Sequence, residues 1–198
     1  MITSFKGEYF FLSNFYPVDI LYEGIVYPSS EHAYMAGKTD RMDIKQHIAS
    51  LKTASEAKRY GSYSANNFQL VYNWENKKDL HMYNVLLVKF SNQELKDKLE
   101  ATGTDMLIEG NKHGDTYWGQ CPLGNGKNML GNILMRIRNE NRMWEWWEKF
   151  VMKKKKTPKQ RNPFVQHIVV KKQGAHGKTK KAIRRKEKVE FKKDLDNL

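Results

Sequence analysis

One cysteine, Cys121, is all that 198 residues contain, so no intrachain disulfide can form and one chain cannot build a thiolate cage for zinc. A reducing, cytoplasmic compartment is expected. No run approaches the roughly 18 apolar residues of a membrane span, and residues 1–7 have neither the basic start nor the apolar stretch of a signal peptide. Neither a membrane partner nor signal-peptide export is expected. The six histidines include no His-x3-His pair and have no companion cysteines, so no metal site is expected.

What the chain has in excess is positive charge, a formal +13, and its placement decides its meaning. Residues 1–152 carry 18 Lys/Arg against 18 Asp/Glu, whereas residues 153–198 carry 17 against 4, so the whole surplus lies in the second stretch. The composition changes at Lys153-Lys154-Lys155-Lys156-Thr157-Pro158, the expected boundary between a domain over 1–152 and a basic tail over 153–198. With little to bury beyond Phe164, Ile168, Val169 and Val170, the tail is expected to be largely disordered, with nascent helix from about Lys180 to Lys193. Its natural partner is a polyanion such as nucleic acid, bound in a salt-sensitive and sequence-indifferent way; a merely solubilising extension is the plainer reading.

Within 1–152 the pattern is mainly α with a small N-terminal β-hairpin region. Ile20-Leu21-Tyr22 and Ile25-Val26-Tyr27 flank Glu23-Gly24, two turn-prone residues between short β-prone runs. Strand content is expected to end there. After Pro28, Ser29 or Ser30 can cap a helix running from Glu31 to about Lys38. Thr53/Glu56 and Ser91/Glu94 have capping-box spacing. Met82, Leu86 and Phe90, with Val85 and Leu87 beside them, predict a buried helix, and Gly103 suits a helix end. Leu130, Ile133, Leu134 and Ile137 predict another helix, and Trp144, Trp147 and Val151 a further amphipathic one.

Four separated stretches then stand out: Phe11-Leu12-Ser13-Asn14-Phe15-Tyr16-Pro17; Tyr27-Pro28-Ser29-Ser30-Glu31-His32-Ala33-Tyr34; Gly110-Asn111-Lys112-His113-Gly114-Asp115-Thr116-Tyr117-Trp118-Gly119; and the run from Gly126 to Arg138. In this order and spacing they resemble the NADAR family, the YbiA-like N-glycosidases. One departure is Asn73-Trp74, where the family often has Asp before the Trp. The resemblance covers roughly residues 5–140. It implies a mostly helical fold and hydrolysis of an N-glycosidic bond between ribose and a base-like ring, either in ribosylamino-pyrimidine intermediates of riboflavin synthesis or in ADP-ribosylated guanine.

Breaking a ribosyl C–N bond passes through an oxocarbenium-like centre, which calls for a carboxylate near the sugar C1 and help for the departing base. Glu31 is the leading catalytic candidate, for water activation or stabilisation of the cationic sugar; without the motif, a first-turn Glu would simply complement the helix dipole. Asp115 is the second, as an acid-base group or a ribose hydroxyl acceptor, although closing its loop as an Asx-turn serves equally well. Trp118 and Trp74 are candidates to stack on the base. Asn14, from the first motif, and His32, which can orient Glu31 or simply pack, join the substrate-binding set. Lys38, near Glu31's helix face, and the pair Lys58 and Arg59 can bind phosphate or make surface contacts. Gly126 and Asn128 belong to a Gly-rich helix start whose free N–H groups could hold a phosphate, although it is not a Walker A loop. Hydrolysis by carboxylates needs no cofactor. Three functions remain in play: removal of ADP-ribose or a related ribosyl group from guanine or nucleic acid, cleavage of riboflavin-type ribosylamine phosphates, and non-enzymatic binding of ADP-ribose or nucleic acid.

Overall fold

In the computed structural model, which describes residues 1–62, 70–112 and 114–149, Glu23 and Gly24 both take positive φ, 50° and 79°. That is the geometry of a two-residue hairpin turn, and it joins β1 (Pro17–Tyr22) to β2 (Ile25–Ser29). The strands pair antiparallel with Ile20 opposite Tyr27 and Leu21 opposite Val26. Side-chain alternation buries the first pair and exposes the second. This is the only sheet among the described residues; two isolated parallel bridges, Ile2 with Leu107 and Gly110 with Gln120, tie loops together elsewhere.

β2 runs straight into α1 (Ser30–Ala36), capped by Ser29, whose hydroxyl accepts from the His32 N–H. All seven residues of α1 are buried. Around this short central helix pack α2 (Met42–Ser50), α3 (Ala54–Ser62) and α4 (Trp74–Lys89). α5 (Gln93–Ala101) and α6 (Met129–Trp147) pack on each other, and α6 also meets α4. The core runs continuously from Leu12 and Ile20 through α1 and α4 to Leu130, Leu134 and Ile137.

The Thr53/Glu56 capping box opens α3: the Glu56 N–H donates to Thr53 Oγ1 at 3.2 Å and the Thr53 N–H to Glu56 Oε2 at 3.1 Å. At α5 the cap lies one residue later than expected. Ser91 donates its hydroxyl back to Val88 O at the end of α4, so Asn92 receives the Leu95 N–H instead. α2 and a 3-10 turn over Gly7–Leu12 were not anticipated. Neither has a side-chain cap, and α2 buries only Ile44 and Ile48, too few for a visible stripe. In α4, Met82, Val85 and Leu86 face the core while Leu87 points outward. The two helices expected after Gly126 are one, α6; its buried face ends at Arg138, and Met143, Trp144 and Trp146 are more than half exposed. The expected boundary and basic tail lie outside the described residues. No described helix is long and apolar enough to cross a membrane.

Gly131 shows how closely α6 approaches its neighbours, because a Cβ there would collide with Leu107 O and the Asn128 side chain. Gly131→Ala is therefore expected to lower stability by about 1–3 kcal/mol, read as an earlier urea midpoint.

Candidate active site

The loop before β1 meets α1 at a backbone hydrogen bond, from Glu31 N–H to Asn14 O at 3.0 Å. It draws the Ser13-Asn14-Phe15 loop over the first turn of α1 and forms one wall of a cavity of about 250 Å³. Glu31 lies in that wall, only 5% exposed. Tyr34, Met35 and Lys38 follow it from α1 and the residues just beyond, and Lys58 reaches in from α3. Glu109, Asn111, Asp115 and Trp118 also line it.

Three carboxyl groups and two ammonium groups thus share a small space. Burial raises the Glu31 carboxyl from the usual 4.5 to about 7, against the pull of Lys58 and Lys38 and with added repulsion from Asp115 and Glu109. Glu109 also rises to about 7, first through burial and then through Asp115. Lys38 shifts downward through burial, and its ammonium donates to Gly61 O at 3.2 Å. Beside the cavity, Lys89 is 1% exposed and donates to Ser13 O at 2.7 Å; burial brings it down to about 7.

Of the residues singled out in the sequence, Glu31, Asp115, Trp118, Asn14 and Lys38 line this cavity. Asp115 also closes its loop: Oδ1 accepts the N–H groups of Tyr117 and Trp118 at 3.0 and 2.9 Å. That turn sets Trp118 edge-on to Tyr34, with ring centroids 5.4 Å apart. Asn14 is 7% exposed, and its Oδ1 is buried without a hydrogen-bond partner.

The other five do not line it. Trp74, expected to stack on a base, is buried at the start of α4 between Tyr34 and His81, at 5.6 and 5.5 Å. Its indole packs against Tyr34, which does line the cavity. His32 is 1% exposed and clamps the chain, its Nδ1 2.7 Å from Ser29 Oγ and its Nε2 3.2 Å from Leu51 O. Arg59 is exposed on α3; the adjacent Lys58 reaches the cavity in its place. Gly126 and Asn128, read in the sequence as a phosphate cradle, lie away from the cavity lining, and the donors that follow Gly126 are taken. The N–H groups of Lys127, Asn128, Met129 and Leu130 all donate to carbonyls of the Thr116–Gly119 loop. Asn128 itself accepts the Glu109 N–H at 3.0 Å and donates to Leu107 O at 2.8 Å. Gly126 lies against Gly119 O and Gln120 Cα.

Glu109 and Tyr34 are not singled out by the sequence, and Lys58 is marked there only together with Arg59. Glu109 left a faint signal, an acid directly after the apolar run Met106-Leu107-Ile108 and beside the third motif. Among the described residues no group of three or more His, Cys, Asp or Glu could hold a metal ion.

A small hairpin that feeds a buried glutamate into a cavity with further carboxyl groups and an indole defines a helical domain equipped for carboxylate chemistry. The NADAR domain model matches residues 3–142, and the chain belongs to that family. It is 33% identical to N-glycosidase YbiA of Escherichia coli K12 over 138 residues, covering 69% of this chain and 84% of YbiA. The solution structure of E. coli YbiA superposes with a TM-score of 0.65 at 32% identity, covering 73% of this chain and 87% of YbiA. A Vibrio vulnificus riboflavin biosynthesis protein is 36% identical over 131 residues, 66% of this chain but 35% of that longer protein.

The raised carboxyls predict a pH-dependent stability. Between pH 4.5 and 7 the folded protein keeps a proton on Glu31 that the unfolded chain has released, so this group's contribution falls as pH rises through that window. Glu31→Gln is expected to raise the melting temperature at pH 8 by about 3 °C or more, with a smaller change at pH 5.

Proposed function

We propose that this chain is an N-glycosidase that hydrolyses the bond between ribose C1 and the nitrogen of a base-like ring. The observation that carries the reading is Glu31, a buried carboxylate in a cavity it shares with Trp118. When the base leaves, positive charge develops on the sugar; a carboxylate in a water-poor site stabilises it far better than one in bulk water. The same carboxylate can take a proton from the attacking water. Trp118 and Tyr34 offer aromatic surface to the base, and the Asn14 Oδ1, lacking a partner in the protein, is available to a sugar hydroxyl or ring N–H. Lys38 and Lys58 provide cationic contacts for a 5′-phosphate.

Two substrates fit this chemistry. A ribosylamino-pyrimidine 5′-phosphate is favoured by the cavity of about 250 Å³, small against the roughly 300–1,000 Å³ of typical ligand sites. Kinship with proteins named for riboflavin biosynthesis, in Vibrio vulnificus and in maize, supports the same choice. The second substrate is guanine carrying ADP-ribose in nucleic acid, favoured by the +13 charge of residues 153–198, which would hold a polyanion while the cavity takes only the ribosyl–base junction.

Mass spectrometry of released base and sugar separates these readings. The monomeric phosphate should be cleaved equally by the full chain and by a chain ending at residue 152. Glu31→Gln should lose at least about 100-fold in kcat, within the usual range for a general base, while still binding substrate. Turnover confined to ADP-ribosylated oligonucleotides, weakened by tail removal and by salt, would favour the second substrate. No turnover of either compound would refute the enzyme reading and leave a binding protein.

A further inference from the structure

We propose that Glu109 is the second carboxyl of the reaction centre, the group that hands a proton to the departing nitrogen. This deepens the N-glycosidase reading and rests on it. Asp115 is the obvious partner for Glu31 by sequence, but its Oδ1 is committed to the turn that positions Trp118, accepting two backbone N–H groups. Glu109 faces the same cavity, and its Oε2 is buried with no hydrogen-bond partner.

An oxygen left in that state is costly, and the backbone around it is well fixed. The Glu109 N–H is held by Asn128 Oδ1 at 3.0 Å, and its carbonyl accepts from Gln120 N–H at 2.8 Å. Gly119 packs against Glu109 so closely that a Cβ there would collide with Glu109 O. Rigid placement of an unpaired acid suits a group whose partner arrives with the substrate. The unpartnered Asn14 Oδ1 lies in the same cavity, so two buried oxygens there lack partners within the protein.

Burial raises both glutamates to about 7, so each can hold or release a proton near neutrality. Lys58 and Lys38 draw Glu31 toward its charged form, opposing its burial. Burial likewise raises Glu109, with added repulsion from Asp115, while Lys58, Lys6 and Lys89 act in the opposite sense. In the reaction the C1–N bond breaks with its electron pair moving to nitrogen, which takes the Glu109 proton. Water adds to C1 and gives its proton to Glu31. The products are the free base and the sugar, with Glu31 protonated and Glu109 ionised until solvent exchanges the two protons.

The test compares Glu109→Gln with wild type, as full chains, on a ribosylamino-pyrimidine 5′-phosphate and on para-nitrophenyl ribofuranoside, whose phenolate leaves without a proton. Expected is a loss of at least about 100-fold in kcat on the first, with KM within about threefold and the alkaline limb of the pH profile abolished. On the nitrophenyl compound the loss should stay under about threefold. Equal losses on both compounds, or none on either, would overturn the assignment while leaving the hydrolase reading intact. A wild type inactive on both would remove hydrolase and proton donor together. Carbon-13 titration of the glutamate carboxyls supplies a readout apart from turnover: a signal missing from Glu109→Gln should titrate near neutrality, and an ordinary value near 4.5 would refute the proposal.

Discussion

Removing a carboxylate from water is costly unless charge or hydrogen bonds compensate, and the architecture around Glu31 is arranged about that cost. The hairpin exists, structurally, to deliver β2 into a fully buried α1 whose first turn holds this side chain. Asn14 ties the entrance loop to its N–H, and Lys38 and Lys58 stand where they can balance its charge without neutralising it by direct pairing. The result is an acid whose proton affinity lies near neutrality, the range in which one group can both accept and release a proton efficiently.

The far wall is built by a different device. The segment from Leu107 to Asn111 has little regular structure, and it is fixed by Asn128, by the bridge to Gln120 and by two close-packed glycines, Gly119 and Gly131. Asn128 takes positive φ, 51°, at the start of α6 and satisfies both the Glu109 N–H and Leu107 O. The Gly-rich stretch before α6 therefore serves the site indirectly, by holding the wall that carries Glu109. The N–H groups from Lys127 to Leu130 are spent on the Thr116–Gly119 loop, so these donors of a helix start that looks open in sequence are not offered to a phosphate.

Much of this was legible beforehand. The hairpin follows from Glu23-Gly24 between β-prone runs, α3 from its capping box, and the choice of Glu31, Asp115 and Trp118, which line one cavity, from motifs held in order along the chain. Trp74, His32 and Arg59 match by residue type and proximity to motifs yet do not line the cavity, because residue type says nothing about which way a side chain faces. Lys58 rather than Arg59 reaches the cavity because adjacent residues on a helix diverge by about 100°, so only one of the pair can face α1. Trp74 became a support for Tyr34 because a large indole at the mouth of a buried helix is worth more packed than free.

Local signals are short-range, and that defines what the sequence determined by itself: the hairpin, most helices and their caps, the family, and the concentration of positive charge after residue 152. Each depends on neighbours within a few positions or on simple counting. The meeting of Glu31 with Glu109, Asp115 and Trp118 across some 80 residues, the unpaired oxygens of Asn14 and Glu109, and the raised proton affinity of both glutamates were decided only by the tertiary structure. Desolvation and through-space charge depend on what surrounds a group in three dimensions, and no local pattern records that.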